Sequence, residues 1–517
     1  MAQLRPAYAL PASAATGGDQ RRIFADTRRI AALDGDTVHR WCSASKLVDP
    51  VLLPDRPWDS AGAFLYGTVL HEENRFRMWY QARHAMGGGN SHAIAYAESI
   101  DGLHWEKPDL GVVEYDGSRA NNLTNAALHL ASVIPPALTD GKQYWAAGHV
   151  HAQAANAASA GYAKSGMYAW LSPDGYTWQR DGETPLWETG RDDSSPYGGG
   201  SDVNVIVPDP ARNRYLASSK LHVPVGGFHR RSFAIRTSTD LRTWSPARPI
   251  LAPDEMDDQR ARALGAHHAD FYGLTFHPYP DFIIGFLWLF YMTPAAPESS
   301  WPANRRSLFG WSRHGRMAEV QTVFSFDGDY WIRPPGRPAF IAAGDRTWDG
   351  GNVATAALPV CVGDDMLHYY GGGPVYHGAF GEKVRFRPEL GVFTSVGLAR
   401  MKRDRYASFS ATTGGSIVAY HGPLETTGGR TPILRVNARA PYGAVMAQVL
   451  DASGREIPGL GLDECVPFTG DAVDAEIRWR NAGLDAIPAG EEIAIRFVLN
   501  EADLYGYTIA PSYTPSP

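Results

Sequence analysis

At 517 residues the chain is too long for one ordinary core, so two domains are expected, one of them large. A formal net charge of -7 and a pI near 6.2 exclude the basic stripe that neutralises phosphates, so no nucleic-acid partner is expected and a neutral substrate fits better. Gly 54, Pro 37, Trp 15 and Tyr 24 stand among short apolar runs, the longest being Phe282 to Tyr291, which predicts an all-β chain with no membrane span.

In chain order, residues 1–20 read as an N-terminal extension in which Arg5 precedes no continuous apolar signal core. Cys42, Cys361 and Cys465 are odd in number, far apart and without metal-ligand spacing, so a reducing, cytoplasmic setting is expected. A repeat then begins. Ser99-Ile100-Asp101-Gly102-Leu103-His104-Trp105 recurs as Ser172-Pro173-Asp174-Gly175-Tyr176-Thr177-Trp178, as Ser238-Thr239-Asp240-Leu241-Arg242-Thr243-Trp244 and as Ser325-Phe326-Asp327-Gly328-Asp329-Tyr330-Trp331. Asp and Gly make a tight turn and Trp opens the next strand, so these acids are structural.

Each hairpin follows another strand pair: Leu65 to Leu70 with Phe76 to Tyr80, Ala127 to Ile134 with Tyr144 to Ala147, Val203 to Val207 with Tyr215 to Ser218, and Phe271 to Phe276 with Phe282 to Tyr291. A fifth opening, Val353 to Val362 with Leu367 to Tyr370, ends in Phe393 to Ala399 and Tyr406 to Ala411. Residues 21–414 therefore read as a five-bladed β-propeller, with the innermost strands opening into an axial pocket. Beyond it, Ile433 to Asn437, Ala444 to Leu450, Ala475 to Trp479 and Ile493 to Leu499 read as a β-sandwich over residues 415–517.

Acids open three of the inner strands: Asp202 before Val203-Asn204, Asp270 after His267-His268-Ala269, and Asp349 after Trp348. Carboxylates gathered in a partly dry pocket push their pKa values apart, and glycoside hydrolysis needs one protonated and one ionised carboxyl. Asp202, in a polar loop, reads as base or nucleophile; Asp270, beside Phe271 and Tyr272, as general acid; Asp349 as an orienting group. Tyr66, Tyr197, Tyr272 and Trp348 are candidates to stack on a sugar, and Asn204, His268 and His377 to bond its hydroxyls. The histidines match no zinc signature, so no metal and no cofactor are expected.

This arrangement resembles the glycoside hydrolase superfamily that contains arabinanases, β-xylosidases, invertases and levansucrases. The chain is also similar to family 32-like bacterial proteins in Arg75-Phe76-Arg77-Met78-Trp79-Tyr80 and Asp101-Gly102-Leu103-His104-Trp105-Glu106-Lys107-Pro108. The resemblance implies an exo-acting glycosidase on a small saccharide, one Asp as base or nucleophile, a second steadying the transition state, and room for an axial hydrated calcium held partly by one histidine. The Trp-Met-Asn-Asp-Pro and Arg-Asp-Pro motifs of invertases are absent, and Glu464-Cys465-Val466-Pro467, similar to their acid motif, falls in the sandwich. Alternatives are a glycoside phosphorylase, with Arg83, Arg230, Arg231 and His229 around phosphate, and a sugar-binding propeller without turnover.

Overall fold

The structure, a computed structural model, describes residues 20–83, 92–139, 141–152, 161–189, 202–226, 228–292, 316–344, 348–374, 394–424 and 431–511. It is built mostly of strands, and no helix among the described residues is long and apolar enough to cross a membrane. The chain divides into two compact units. One is Ala44–Val362 with Leu367–Arg400; the other takes the described part of Met1–Ser43, Gly363–Met366 and the chain from Met401 onward.

Among the described residues the first unit holds four sheets. Gly62–Glu72, Arg75–Arg83 and His92–Ser99 form a three-stranded antiparallel sheet, and His129–Ile134, Tyr144–Val150 and Gly166–Ser172 form the next with two short outer strands. Asn204–Asp209, Arg214–Val225, Phe228–Ser238 and Arg248–Leu251 form a third. The fourth joins two antiparallel sets, one on His268–Pro278, Ile283–Met292 and Arg316–Ser325, the other on Asn352–Thr355, Asp365–Gly373 and Ser395–Lys402, through one parallel pairing of Met317 with Asn352. All ten residues of Ile283–Met292 are buried, which is why that strand is continuously apolar where a half-exposed strand would alternate. The short strand Ser45–Lys46 pairs with Ala399 and Arg400 and so completes the last set from the far end of the unit.

The four repeats are turns of one design. Each serine hydroxyl donates to the aspartate two residues on, at 2.9 to 3.1 Å, and accepts the amide three residues on. The aspartate then accepts two further amides, as Asp240 does from Arg242 and Thr243 at 2.9 and 2.7 Å. The residue after Asp takes a left-handed φ in every copy, from 63° to 90°, and is glycine in three of them. Trp178 is buried, whereas Trp105, Trp244 and Trp331 are half-buried.

In the second unit nine described strands share one hydrogen-bonded sheet around an apolar core that includes Phe24, Phe409, Leu434, Val449, Ile495 and Phe497. Gln20–Ile23, Ile30–Gly35 and Val38–Trp41 pair with Ala502–Pro511, Gly415–Pro423 and Ala407–Ala411. This differs from the boundaries at residues 20 and 414 drawn from the sequence. Periodicity reveals that a segment is a strand, but not that its partner lies hundreds of residues away.

Candidate active site

Three strand irregularities aim side chains into one place. The register of Gly62–Glu72 slips between Phe64 and Thr68, that of His129–Ile134 between His129 and Ser132, and that of His268–Pro278 between Phe271 and Gly273. A bulge turns a side chain out of the regular alternation: two of these carry Tyr66 and Tyr272, and the third, at Leu130 and Ala131, lies next to His129. Leu130 carries the local strain, at φ 60°. Gly273 lies flat beneath Trp288, where an added Cβ would come 1.9 Å from the ring, and Trp288 in turn stacks on Tyr66 at 5.8 Å and 9°.

Asp202 stands beside this cluster, its side chain 27% exposed. Lys220 Nζ, buried, donates to its Oδ1 at 2.6 Å, and His151 Nε2 lies 3.9 Å from its Oδ2. Burial alone would raise the carboxyl, but the Lys220 ammonium, with His129 and His149 beyond it, holds it well below the usual carboxylate range. The Tyr66 hydroxyl points to Met317 Sδ at 3.9 Å and interacts with Tyr272, and burial raises both phenols so that they stay protonated. Gln81 Nε2 meets His129 Nδ1 at 2.9 Å, and His149, buried, meets Thr189 Oγ1 through Nε2 at 2.6 Å. Burial, with His151 nearby, pushes His149 down to about 3, so its ring is neutral at physiological pH.

Asp270 is buried behind these groups. Arg230 Nε donates to its Oδ1 at 3.0 Å and Arg231 Nη1 to its Oδ2 at 3.1 Å. Asp258, on the helix Glu255–Ala263, takes the other face of Arg230 at 2.7 and 3.2 Å and also accepts the Ala269 amide at 3.0 Å. With both oxygens receiving guanidinium hydrogens, Asp270 sits as an anchor for two arginines, which is not the setting of the proton donor expected from its aromatic neighbours. His268 lies 3.9 Å from Asp270 and meets His267 at 2.8 Å; burial pushes it down to about 4.

Asp349 belongs to a separate arrangement. Its Oδ2 accepts from Lys46 Nζ at 2.6 Å and from the Tyr370 hydroxyl at 2.9 Å, and its Oδ1 accepts the Gly344 amide at 3.2 Å. Trp348 stacks on Tyr370 and donates to the Val48 carbonyl at 3.0 Å, so it packs here and is not directed at Asp202. Asn204, buried, opens Asn204–Asp209 opposite Ser219. Tyr197 and His377 lie outside the described residues.

The structure thus gathers Asp202, Tyr66 and Tyr272, with Asp270 one arginine away. The decisive residue missing from the sequence reading is Lys220. Its signal is present in retrospect: a cation in the interior of the strand Arg214–Val225, in Ser218-Ser219-Lys220-Leu221, is costly unless paired. Among the described residues no three ligating side chains are placed to hold a metal ion.

No family model matches the sequence. Two uncharacterised proteins of Mycobacterium tuberculosis are each 31% identical over 121 residues, which is 23% of this chain and 34% of theirs, so the chain spans about a third of the length of these relatives. Among solved structures, a glycosyl hydrolase from Bacteroides ovatus aligns with a TM-score of 0.41 at 15% identity, covering 71% of this chain and 95% of its own. The β-1,2-mannobiose phosphorylase from Listeria innocua, in complex with β-1,2-mannobiose, aligns with a TM-score of 0.41 at 12% identity, covering 69% and 96%.

Proposed function

We propose that the chain is a glycoside-cleaving enzyme whose reactive carboxylate is Asp202. The observation that carries this reading is one partly exposed, ionised carboxylate, fixed by a buried ammonium at 2.6 Å, where strands of four different sets converge with two phenols and three histidines. Asp202 in this state is a base: it takes a proton from water as that water attacks the anomeric carbon, while the bond from that carbon to the glycosidic oxygen breaks and the departing oxygen takes a proton from solvent. Tyr272, protonated, supplies a hydroxyl donor to the sugar. Asp270 and Asp349 act by position, the first holding Arg230 and Arg231, the second tying Lys46 and Tyr370.

The architecture we infer for this unit is a five-bladed propeller, the fourth sheet comprising two blades joined at Met317 and Asn352, and Ser45–Lys46 closing the fifth. In the other unit the twenty-residue strand Pro432–Asp451 changes register twice, pairing first with Ala502–Pro511 and then with Glu492–Asn500, which suits a sheet folded over into the two layers of a sandwich.

Phosphorolysis is a second reading, favoured by the gathering of Lys220, Arg230 and Arg231 beside Asp202 and Asp270. A panel of glycosides assayed with and without inorganic phosphate separates the two. Free sugar released at equal rates in both conditions supports hydrolysis, and sugar 1-phosphate formed only with phosphate supports phosphorolysis. No cleavage of any glycoside, or full activity in Asp202→Asn, would sink the assignment.

A further inference from the structure

His151 stands where the strand Tyr144–Val150 ends, held there by the pairing of Val150 with Gly166 and by the Ala152 amide, which donates to Ser165 Oγ at 3.0 Å. Its side chain is 37% exposed, and its Nε2 faces Asp202 Oδ2 at 3.9 Å, while Lys220 Nζ occupies Oδ1. The ring meets that of His149 edge-on at 4.4 Å and lies 6.3 Å from that of His129. Among the described residues neither ring nitrogen of His151 makes a hydrogen bond. The other titratable groups around Asp202 are placed differently. Lys220 is a buried ammonium that already carries its proton, and burial keeps Tyr66 and Tyr272 protonated. His129 Nδ1 is engaged by Gln81, and His149 is buried, where a positive charge loses its hydration.

A base must lose its proton before it can act again, and a carboxylate fixed by an ammonium holds a proton poorly. The neighbour that accepts it with least loss of hydration is a half-exposed imidazole, whose charged form water solvates. We propose that His151 is the proton outlet of Asp202. The inference rests on the glycosidase reading and adds a residue to its mechanism. The proton that Asp202 takes from the attacking water passes from Oδ2 to Nε2 of the neutral ring, and the imidazolium gives a proton to bulk water, so that Asp202 ends ionised and the ring neutral. The separation decides this role against that of proton donor to the leaving group. In an inverting enzyme that donor stands about 6.5 to 9.5 Å from the base, which leaves room for the water. At 3.9 Å His151 is too close to Asp202 for that task. The contact is longer than a hydrogen bond, as catalytic contacts often are before substrate binds.

The test is steady-state kinetics of the full chain on a glycoside that the wild type hydrolyses, with Tm confirming that each variant is folded. His151→Gln keeps a hydrogen-bonding side chain of similar reach but cannot carry a proton at neutral pH. Its kcat should fall about tenfold or more with KM nearly unchanged. In His151→Ala, which opens a space at the rim, kcat should fall likewise and recover as imidazole is added at constant pH and ionic strength, whereas Asp202→Asn should not recover. Full kcat in His151→Gln would show that Asp202 discharges straight to water and would overturn the proposal. So would a rise in KM alone, the mark of a sugar contact, or a loss of kcat in His151→Ala that imidazole leaves unrestored. Each of these results leaves the glycosidase reading standing. A wild type that cleaves no glycoside removes that reading and the outlet with it, so the two failures are told apart.

Discussion

Lys220 and Asp202 are worth more as a pair than either is alone. Removing one member of a buried ion pair strands the other, at about 3 kcal/mol in a well-buried setting, so Lys220→Met should be strongly destabilising. In Asp202→Asn the amide oxygen still accepts from the ammonium, so the loss should be smaller. The double variant should recover part of the cost, giving a coupling energy of about 1 kcal/mol or more by denaturant titration; strict additivity would show that the two do not act together. Turnover should fall by about 100-fold or more in Asp202→Asn once a substrate is known, the worth of a general base. At this scale the sequence was partly legible. Asp202, Tyr66 and Tyr272 stood at strand openings and could be named. The roles of Asp270 and Asp349 could not, because they depend on Arg230, Arg231 and Lys46, partners that only the folded chain brings within 3.1 Å.

The hairpin repeat is the element most fully written in the sequence, since serine, aspartate and glycine each satisfy a backbone need within a few residues of themselves. Its third copy sets two effects against each other. Leu241 adopts φ 63°, which costs a non-glycine residue about 1 to 2 kcal/mol, yet its side chain is buried among Trp145, Ile206 and Ala217. Burying a leucine contributes about 1.5 to 3 kcal/mol, and its loss also leaves a cavity. Burial should win: Leu241→Gly is expected to destabilise by about 1 kcal/mol or more despite relieving the backbone, and a gain in Tm would show that strain dominates. Trp178→Ala, at the one fully buried tryptophan of the repeats, should cost about 3 kcal/mol or more. The bulges that carry Tyr66 and Tyr272 and flank His129 left no such trace, because one or two extra residues in a strand look like ordinary alternation until the partner is known.

For the whole molecule, pH dependence is set by buried histidines. Burial pushes His149, His368 and His421 down to about 3 and His268 to about 4, so each is neutral when folded while the unfolded chain titrates near 6.5. Between those values the unfolded state binds more protons, so stability rises with pH there. The contribution is complete above about pH 6.5 and is lost progressively as the pH falls toward 4 and below. Tm measured from about pH 7.5 down to about 4 should fall steadily from about 6.5, and replacing His368 by a neutral isostere should flatten the slope; a flat profile would mean these rings are solvated. Deleting residues 1–43 removes three strands and Phe24 from the nine-stranded sheet, so that chain should aggregate on gel filtration, a dependence that the boundary at residue 414 did not reveal. The pairing of Ser45–Lys46 with Ala399 and Arg400, reinforced by Lys46 on Asp349, also constrains the order of events during synthesis. The last sheet of its unit cannot be completed until residue 400 has left the ribosome. At about 5 to 20 residues per second, Lys46 waits on the order of half a minute for its partners, during which Ser45–Lys46 has no strand to pair with on the nascent chain.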